Sequence, residues 1–304
     1  MERHQITGHT ELIGLLAYPI RHSQSPATHN AAYEKLGVDI VNLAFEVDAP
    51  ELEDAIKGLR ALKMRGANVS MPNKTIVHQY LDEISPAAKL CGAVNTIVNK
   101  DGYLVGHITD GIGYVQSLKD NDIDPTGKKV TIVGSGGAAT AVEIQAALDG
   151  VAEMSIFARD DKFKQNALDT VKKINENTNC KATFYPLEDL DKLKEEMHSS
   201  YLFTNATGVG MKPLEGIIYI PDPCFFRPDL IVTDVVYAPH ETAMLKMARH
   251  AGCKTMNGQG MMLFQAIAAI ELILGKRVDS EYMKEKLGIS YAVSYTHLTL
   301  PTIA

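Results

Sequence analysis

Val130-Thr-Ile-Val-Gly134-Ser-Gly136-Gly137-Ala-Ala139-Thr140 is the stretch that decides the fold. It fits the pattern G-x-G-x-x-G/A with Gly134, Gly136 and Ala139, directly after a predicted strand and at the start of a predicted helix. Gly134 permits a tight turn, Gly136 lets the backbone approach a pyrophosphate, and the small Ala139 lets the helix lie close to the strand. Residues 127–161 are therefore predicted to form a strand–helix–strand unit that binds a nicotinamide dinucleotide. A glycine-rich turn without a ligand is the alternative, and the flanking strand and helix argue against it.

The end of the next strand bears on which dinucleotide binds. In Phe157-Ala-Arg159-Asp160-Asp161, Asp160 stands 21 residues after Ala139, about where a carboxylate that binds the ribose 2′-hydroxyl of NAD is expected. A carboxylate beside the 2′-phosphate of NADP is unfavourable, because two charges at 4 Å interact with about 4 kcal/mol at an effective dielectric near 20. Arg159 argues the other way, since it can pair with a 2′-phosphate, and both acids can instead cap the following helix.

Composition narrows the class of protein. The chain has 304 residues, of which 45% are hydrophobic and 22% charged, as is typical of a compact protein of about two domains. The formal net charge is −7 and the basic residues are scattered, so nucleic acid and anionic membranes are not expected partners. We expect a small-molecule substrate, and the sequence does not distinguish a monomer from a homodimer.

The cysteines and histidines indicate a reducing compartment and no metal site. The four cysteines are widely spaced and form no C-x-x-C pair: Cys91, Cys180, Cys224 and Cys253. No H-x-x-x-H occurs either, so no zinc ligand set is predicted. No apolar signal segment opens the chain, and no window approaches the roughly 18 apolar residues of a membrane span. We therefore expect a cytoplasmic protein.

A polar connector at residues 119–129 divides the chain, because it combines charges with a proline and a glycine and a new strand starts directly behind it. We predict an α/β domain over residues 1–118, completed by helices at about 260–290. Residues 119–259 are predicted to form a Rossmann-type domain with a doubly wound parallel sheet. Residues 291–304 continue no pattern and are predicted to be a tail.

Alternating strand-like and helix-like segments predict α/β structure in both halves. The predicted strands are 12–18, 41–47, 67–70, 130–133, 154–157, 182–185, 201–204 and 230–234. The predicted helices are 26–36, 50–62, 162–175, 260–274 and 280–287. A further helix is expected to have Pro72 in its first turn, where a proline is tolerated.

Several polar motifs lie outside the glycine pattern. Four segments in the first half carry more polar groups than packing requires: Arg21-His-Ser23-Gln-Ser25-Pro26, Asn68-Val-Ser70-Met-Pro72-Asn-Lys74, Gly92-Ala-Val-Asn95-Thr96 and Gly106-His-Ile-Thr-Asp110-Gly111. Three later motifs follow them: Asn205-Ala-Thr-Gly208, Asp234-Val-Val-Tyr237-Ala-Pro239 and Gly258-Gln-Gly-Met-Met-Leu-Phe-Gln265-Ala266. With these motifs in this order, the sequence resembles the shikimate dehydrogenase family up to about residue 290.

The resemblance implies a substrate domain followed by a cofactor domain, with a C-terminal helix returning to the first and the active site in the cleft between them. It implies that Lys74 and Asp110 are the catalytic pair. It also implies a set of substrate-binding residues, in which the first three hold the carboxylate and the others, with Asp110, bind ring hydroxyls: Ser23, Ser25, Tyr237, Ser70, Asn95 and Gln265. The family often has threonine at the position of Ser70, and serine keeps the hydroxyl.

The cofactor-binding residues that follow from the glycine pattern and the resemblance are Gly134, Gly136, Gly137, Ala138, Ala139, Arg159, Asp161, Phe163, Thr204, Asn205, Thr207, Val235 and Gly258. Family members strict for NADP usually carry Asn-Arg-Thr and a further basic residue, whereas this chain has Ala158-Arg159-Asp160-Asp161-Lys162-Phe163. This departure resembles the quinate/shikimate dehydrogenase branch, whose acid and aromatic residue correspond to Asp161 and Phe163. NAD is therefore the predicted preference, with NADP possible.

The residue types alone, without the family resemblance, also permit the oxidation of an alcohol and the reduction of a ketone. Interconverting a secondary alcohol and a ketone needs hydride transfer with nicotinamide and a group that moves the hydroxyl proton. Lys74 can move that proton, and Asp110 can hold the lysine and the hydroxyl in line. Six of the predicted site residues also have a structural alternative: a solvated lysine at 74, helix caps at 25 and 110, a turn at 95, a buried polar group at 265 and strand-end packing at 237. Their joint occurrence outweighs these alternatives.

We therefore expect an NAD(P)-dependent quinate/shikimate dehydrogenase. It would interconvert shikimate and 3-dehydroshikimate, and quinate and 3-dehydroquinate, in the biosynthesis of chorismate and aromatic amino acids or in quinate metabolism. One alternative is another two-domain NAD(P) dehydrogenase, such as one resembling methylenetetrahydrofolate dehydrogenase. Another is a dinucleotide-binding sensor without catalysis.

Overall fold

The structure is a computed structural model that describes residues 6–291, and the chain divides into two compact units. Unit 1 contains the chain up to Ser117 together with Gly260–Ser290, and unit 2 contains Leu118–Gln259 together with Tyr291. The rest of the predicted tail at 292–304 lies outside the described residues. Among residues 6–291, no helix is long and apolar enough to cross a membrane.

The N-terminal part of the chain forms a mixed six-stranded sheet with helices around it. Its elements are β1 (Glu11–Ala17), α1 (Ser25–Leu36), β2 (Ile40–Glu46), α2 (Leu52–Ala61), β3 (Gly66–Val69), β4 (Glu83–Ile84), α3 (Pro86–Cys91), β5 (Thr96–Lys100), β6 (Tyr103–His107) and α4 (Asp110–Lys119). The strand order is β2-β1-β3-β5-β6-β4. The first three strands are parallel, and β5 runs antiparallel to both β3 and β6.

The β5–β6 hairpin was not predicted, although the sequence carries a signal for it. Lys100 pairs with Tyr103, so the connection consists of Asp101 and Gly102 alone. Both have positive φ, 52° and 94°, which is the backbone of the two-residue turn that Asp-Gly favours. The strands themselves give no such signal, because β5 and β6 are buried on both faces over much of their length and lack a clear hydrophobic period of two.

The α-helix expected at Pro72 is wrong. Asn73–Thr75 and Val77–Tyr80 form short 3₁₀ turns instead. The Asn73 side chain donates to the carbonyl of Val47 at 2.8 Å, and the Lys74 carbonyl accepts from the Val94 N–H at 2.9 Å. The Val94 bond takes a carbonyl that an α-helix would use for its own next turn, and the Asn73 bond ties the segment to Val47.

Unit 2 is a parallel six-stranded sheet in the doubly wound order, which confirms the predicted fold class. Its elements are β7 (Lys129–Val133), α5 (Gly137–Leu148), β8 (Glu153–Ala158), α6 (Lys164–Asn177), β9 (Lys181–Pro186), α7 (Leu190–Ser199), β10 (Leu202–Asn205), β11 (Ile231–Asp234), α8 (Ala243–His250) and β12 (Lys254–Met256). The order is β12-β11-β10-β7-β8-β9, so successive strands are added on one side of β7 up to β9 and on its other side from β10 onward. Such a reversal of strand order opens the crevice where dinucleotides bind.

Two C-terminal helices follow, α9 (Gln259–Leu274) and α10 (Ser280–Leu287). In unit 1, α9 packs closely on α4 at Gly113, where an added Cβ would lie only 2.4 Å from the Gln265 nitrogen. Only glycine permits this approach. The contact places Gln265 one turn from the start of α4, where Asp110 lies.

Candidate active site

The polar motifs of the first half meet at one edge of the unit 1 sheet. The segment after β1 lies beside the segment after β3, because Tyr18 donates its N–H to the Met71 carbonyl at 3.2 Å. β5 is antiparallel to both neighbours, so its beginning lies at the same edge, and Asn95 bonds through its backbone to Val69 and His107. The sheet topology thus brings together segments that are far apart in the sequence.

Lys74 and Asp110 form a direct ion pair at this edge. Lys74 Nζ donates to Asp110 Oδ2 at 2.8 Å, and the side chains are 24% and 19% exposed. The pair is therefore neither a solvated surface contact nor sealed in the core, so a substrate can reach it. Asp110 is the first residue of α4, and its carboxylate is held from the other side by Asn95.

Asn95 orients the acid through a buried network. Its Nδ2 donates to Asp110 Oδ1 at 3.1 Å and to Thr109 Oγ1 at 2.9 Å. Its Oδ1 accepts from the Thr109 N–H at 2.9 Å and from Thr96 Oγ1 at 3.0 Å. Asn95, Thr96 and Thr109 are each at least 96% buried. The two threonines were missed from the sequence because nothing in their spacing shows that they flank one amide.

The serines and Gln265 are partly exposed at the same unit. The Ser23 hydroxyl accepts from the Ser25 N–H at 3.2 Å, and α1 begins at Ser25 without a side-chain cap. The reading of Ser25 as only a helix cap is therefore not supported. Ser70 follows β3 directly, with its N–H bonded to the Leu16 carbonyl. Gln265 Nε2 donates to the Met262 carbonyl at 3.2 Å, within α9.

A cavity of about 610 Å³ lies in unit 2 at the carboxyl edge of its sheet. Ten of the residues predicted to bind cofactor or substrate line it: Gly134, Gly136, Gly137, Ala138, Arg159, Asp161, Phe163, Thr207, Val235 and Tyr237. The lining residues that the sequence does not predict are mostly apolar and lie at or after strand ends: Val133, Ala158, Leu187, Ala206, Val209, Met211, Leu214, Val236 and Ala238, with Ser135, Gly208 and Tyr219. Position after a parallel strand is the one signal that could have found several of them.

The glycine loop fits a pyrophosphate. Gly134 has φ +151°, and an added Cβ would lie 2.8 Å from the Ala206 carbonyl oxygen, so the turn requires glycine. At Gly136 and Gly137 an added Cβ would meet nothing within 4 Å, so the backbone there is open to an approaching ligand. Gly136 is the N-cap of α5 and supplies no side-chain cap, which leaves the first amides of a 12-residue helix available for anionic oxygens.

The rim after β8 combines an acid, a base and an aromatic ring. Arg159 Nη2 pairs with Asp161 Oδ2 at 3.0 Å, and Asp161 Oδ1 accepts from the Phe163 N–H at 2.9 Å. Asp160 instead pairs with Lys164 at 3.0 Å and does not line the cavity. Asp161, and not Asp160 as the spacing after the glycine pattern indicates, is thus the acid that lines the cavity.

Four predicted cofactor residues do not line the cavity. Ala139 is fully buried under Gly134, and Thr204 is buried within β10, with its hydroxyl accepting from Thr233 Oγ1 at 3.0 Å. Asn205 is buried at the end of β10. Gly258 lies behind the cavity wall, where an added Cβ would be 2.0 Å from the Val235 carbonyl oxygen. Their positions support the wall rather than form its surface.

Asp234 is a buried acid beneath the same wall. Burial raises its pKa to about 7, and hydrogen bonds from the Val236 N–H, Thr242 and Asn205 oppose that rise. Burial and the Asp234 charge also raise the pKa of Tyr219 well above its usual value. Within residues 6–291 no group of three or more His, Cys, Asp and Glu side chains is arranged to hold a metal ion.

Comparison with known proteins identifies relatives over nearly the whole chain. The family model for the shikimate dehydrogenase substrate binding domain matches residues 15–97. Shikimate dehydrogenase (NADP⁺) from Listeria innocua is 58% identical over 93% of this chain and 97% of its own length.

Solved structures agree with these relatives. The crystal structure of shikimate 5-dehydrogenase from Listeria monocytogenes in complex with shikimate and NAD is 58% identical, with a TM-score of 0.92 over 94% of this chain and 99% of that one. Quinate dehydrogenase from Corynebacterium glutamicum in complex with NAD is 28% identical, with a TM-score of 0.82 over 92% of this chain and 99% of that one. The chain therefore belongs to the shikimate dehydrogenase family.

Proposed function

We propose that this protein is an NAD(P)-dependent oxidoreductase that interconverts shikimate and 3-dehydroshikimate. The observation that carries the proposal is the Lys74–Asp110 pair, held by Asn95 at a reachable sheet edge in a chain 58% identical to a shikimate dehydrogenase. Family membership argues against a methylenetetrahydrofolate dehydrogenase-like enzyme. A sensor without catalysis is disfavoured because a sensor has no need of a paired lysine and aspartate in reach of substrate.

Lys74 is the proton donor and acceptor in this proposal. A bound nicotinamide supplies or receives the hydride. In the direction of ketone reduction, Lys74 Nζ donates a proton to the oxygen that becomes the hydroxyl, and in the reverse direction it takes that proton back. Asp110, 2.8 Å from Nζ, keeps the lysine in line and accepts a hydrogen bond from a substrate hydroxyl.

The remaining polar residues of unit 1 bind the substrate. Ser23 and Ser25 offer two hydroxyls at the start of α1 for a carboxylate, and Ser70 and Gln265 offer a hydroxyl and an amide for ring hydroxyls. A direct bond from Asn95 to a ring hydroxyl stays a prediction from the family resemblance, because its amide is already used within unit 1. The role of Tyr237 at the carboxylate stays a prediction from the family resemblance. A buried polar group that loses its hydrogen-bond partner is costly, so such a site rejects analogues that lack a hydroxyl.

NAD is the proposed preference, with NADP also accepted. Asp161 is placed on the cavity rim to bind ribose hydroxyls, whereas Arg159 is 68% exposed and free to turn toward a 2′-phosphate if it leaves Asp161. The relatives do not favour one dinucleotide over the other, since one is named for NADP⁺ and one crystal structure holds NAD. Activity on quinate is a further proposal, supported by the likeness to a quinate dehydrogenase.

The proposal places the enzyme in the cytoplasm, because among residues 6–291 none of the four cysteines forms a disulfide, as is typical of a reducing compartment. Its oligomeric state, a monomer or a homodimer, stays a prediction. The test is a spectrophotometric matrix of shikimate and quinate against NAD⁺ and NADP⁺. Reduction of a nicotinamide with shikimate is the expected result. No reduction in any of the combinations, together with dinucleotide binding, would favour the sensor and overturn the proposal.

A further inference from the structure

The wall of the unit 2 cavity includes two loops that follow neighbouring strands. Ala206–Val209 follows β10 and Val235–Ala238 follows β11, and all eight residues line the cavity. The last residues of the two strands, Asn205 and Asp234, are partners in the parallel register. Both side chains are at least 98% buried, so they lie behind the wall and not on it.

Asn205 ties its own loop together. Its Oδ1 accepts from Thr207 Oγ1 at 2.7 Å, from the Thr207 N–H at 3.2 Å and from Tyr219 Oη at 3.2 Å. Its Nδ2 donates to the Val209 carbonyl at 3.1 Å and to Asp234 Oδ1 at 2.9 Å. The amide therefore uses both donors and its acceptor, and three of its partners line the cavity.

Asp234 ties the second loop to the first. Its Oδ1 accepts from the Val236 N–H at 2.9 Å as well as from Asn205, and its Oδ2 accepts from Thr242 Oγ1 at 2.8 Å. Thr242 is the N-cap of α8, with its hydroxyl accepting from the Leu245 N–H. Among the described residues no cation pairs with Asp234, so the carboxylate depends on these hydrogen bonds alone.

We propose that Asn205 and Asp234 are positioning residues for the nicotinamide half of the dinucleotide. A doubly wound sheet binds one nucleotide on each side of its reversal point, and the acid after β8 serves the adenosine half. The loops after β10 and β11 belong to the other side, so they serve the nicotinamide half. The Asn205–Asp234 bond sets the separation of these loops. This inference rests on the proposed use of a nicotinamide dinucleotide.

The free-energy cost of burying Asp234 without a cation supports a positioning role for this acid. A buried acid without a cation adds little stability, and apolar side chains of similar volume often replace buried charges without loss. Gly258 supports the same loop from behind, because its N–H donates to the Val236 carbonyl at 3.0 Å and no side chain fits against Val235. The second loop is thus held on both sides by residues that do not themselves reach the cavity.

The test compares a whole dinucleotide with its adenosine half. Dissociation constants of NAD⁺, NADP⁺ and ADP-ribose are measured by calorimetry for wild type, Asp234→Asn and Asn205→Ser, at a temperature where thermal melts show each variant folded. For the dinucleotide that wild type binds better, we expect the dissociation constant to rise at least about tenfold in each single variant, because a buried charged hydrogen bond is lost. The dissociation constant of ADP-ribose should stay within about twofold of wild type. The double variant Asn205→Asp/Asp234→Asn exchanges the acid and the amide, and it should recover part of the dinucleotide affinity.

Thr233→Val is the matched control, because it removes a buried hydrogen bond between the same two strands one residue earlier. It should lower the melting temperature and leave both affinities unchanged. If both single variants lost affinity equally for the dinucleotide and for ADP-ribose, or lost affinity for neither, the inference would be overturned and the proposed function would stand. Wild type that bound neither NAD⁺ nor NADP⁺ would overturn the proposed function and the inference with it.

Discussion

The carboxyl edge of the unit 1 sheet carries its chemistry on polar side chains, whereas the corresponding edge of unit 2 presents mainly backbone and apolar side chains. Lys74, Asp110 and Asn95 are joined by direct side-chain bonds of 2.8 Å and 3.1 Å. The unit 2 cavity instead offers the open backbone at Gly136 and Gly137 and keeps its buried polar network behind the wall.

This difference indicates which substitutions each sheet edge can accept without loss of function. In unit 1 the chemical identity of a few atoms decides function, so an isosteric change is expected to abolish activity. In unit 2 the space above the glycine loop decides function, so a single added methyl group is expected to matter even where it strains nothing. The four predictions below test this comparison.

The largest expected effect is at Lys74. Lys74→Met keeps the length of the side chain and removes the proton, so kcat should fall by about 10²- to 10⁴-fold. The dissociation constant for NAD⁺ should stay within about twofold, because Lys74 belongs to unit 1. Steady-state kinetics and calorimetry measure the two quantities. Lys57→Met, on the exposed face of α2, is the control, and wild-type kcat in Lys74→Met would remove the lysine from the mechanism.

The second prediction separates two glycines of one loop. Gly136→Ala should fold normally and weaken the dinucleotide by about tenfold or more, because its Cβ enters open space needed by the pyrophosphate. Gly134→Ala should instead lower the free energy of unfolding by about 1–3 kcal/mol, because of its positive φ and its contact with Ala206. Thermal melts and dinucleotide titration distinguish the two. Unchanged affinity in a folded Gly136→Ala would show that the ligand does not approach there.

The third prediction concerns a buried acid on the helix behind the glycine loop. Burial raises the pKa of Glu143 to about 8 from 4.5, and neither of its oxygens has a hydrogen-bond partner among the described residues. The folded state therefore holds this proton more tightly than the unfolded state. The contribution of protonated Glu143 to the free energy of unfolding is fully present below pH 4.5 and is lost as pH rises toward 8. The loss should approach about 1.4 kcal/mol per pH unit over that range.

Glu143→Gln should flatten this slope and stabilise the protein at pH 8, because the amide cannot ionise. Urea unfolding at several pH values measures the free energy of unfolding. Glu176→Gln, an exposed position on α6, should leave the slope as it is in wild type. An unchanged slope in Glu143→Gln would show that Glu143 ionises freely in the folded protein.

The smallest expected effect is at the cofactor rim. Asp161→Ala should raise the dissociation constant of NAD⁺ by about fivefold, because the carboxylate binds ribose hydroxyls in our proposal. The dissociation constant of NADP⁺ should rise less, because loss of the carboxylate frees Arg159 to pair with a 2′-phosphate. Asp160→Ala, which removes an acid outside the cavity, should have the smaller effect on both. Dissociation constants for both dinucleotides give the answer, and equal weakening of both by Asp161→Ala would contradict the assignment.

The fold was predictable wherever a local pattern carries it. The strands and helices of unit 2 follow from apolar runs and the glycine pattern, and its parallel sheet is confirmed. The α-helix predicted at Pro72 is wrong because tertiary hydrogen bonds to the Val47 carbonyl and from the Val94 N–H fix that segment, and helix propensity does not contain them. The β5–β6 hairpin shows the opposite case, since its Asp101-Gly102 turn is a local signal that the sequence does contain.

The sequence by itself determined the ingredients of this protein: a dinucleotide-type glycine loop, a lysine and an aspartate of the right chemistry, and an alternation of strands and helices. Only the tertiary structure decided that Lys74 and Asp110 lie 2.8 Å apart, that Asp161 and not Asp160 faces the cavity, and that Asn205 is buried behind its wall. The physical reason is that sheet register and strand order join residues distant in the chain, and local residue patterns do not specify either.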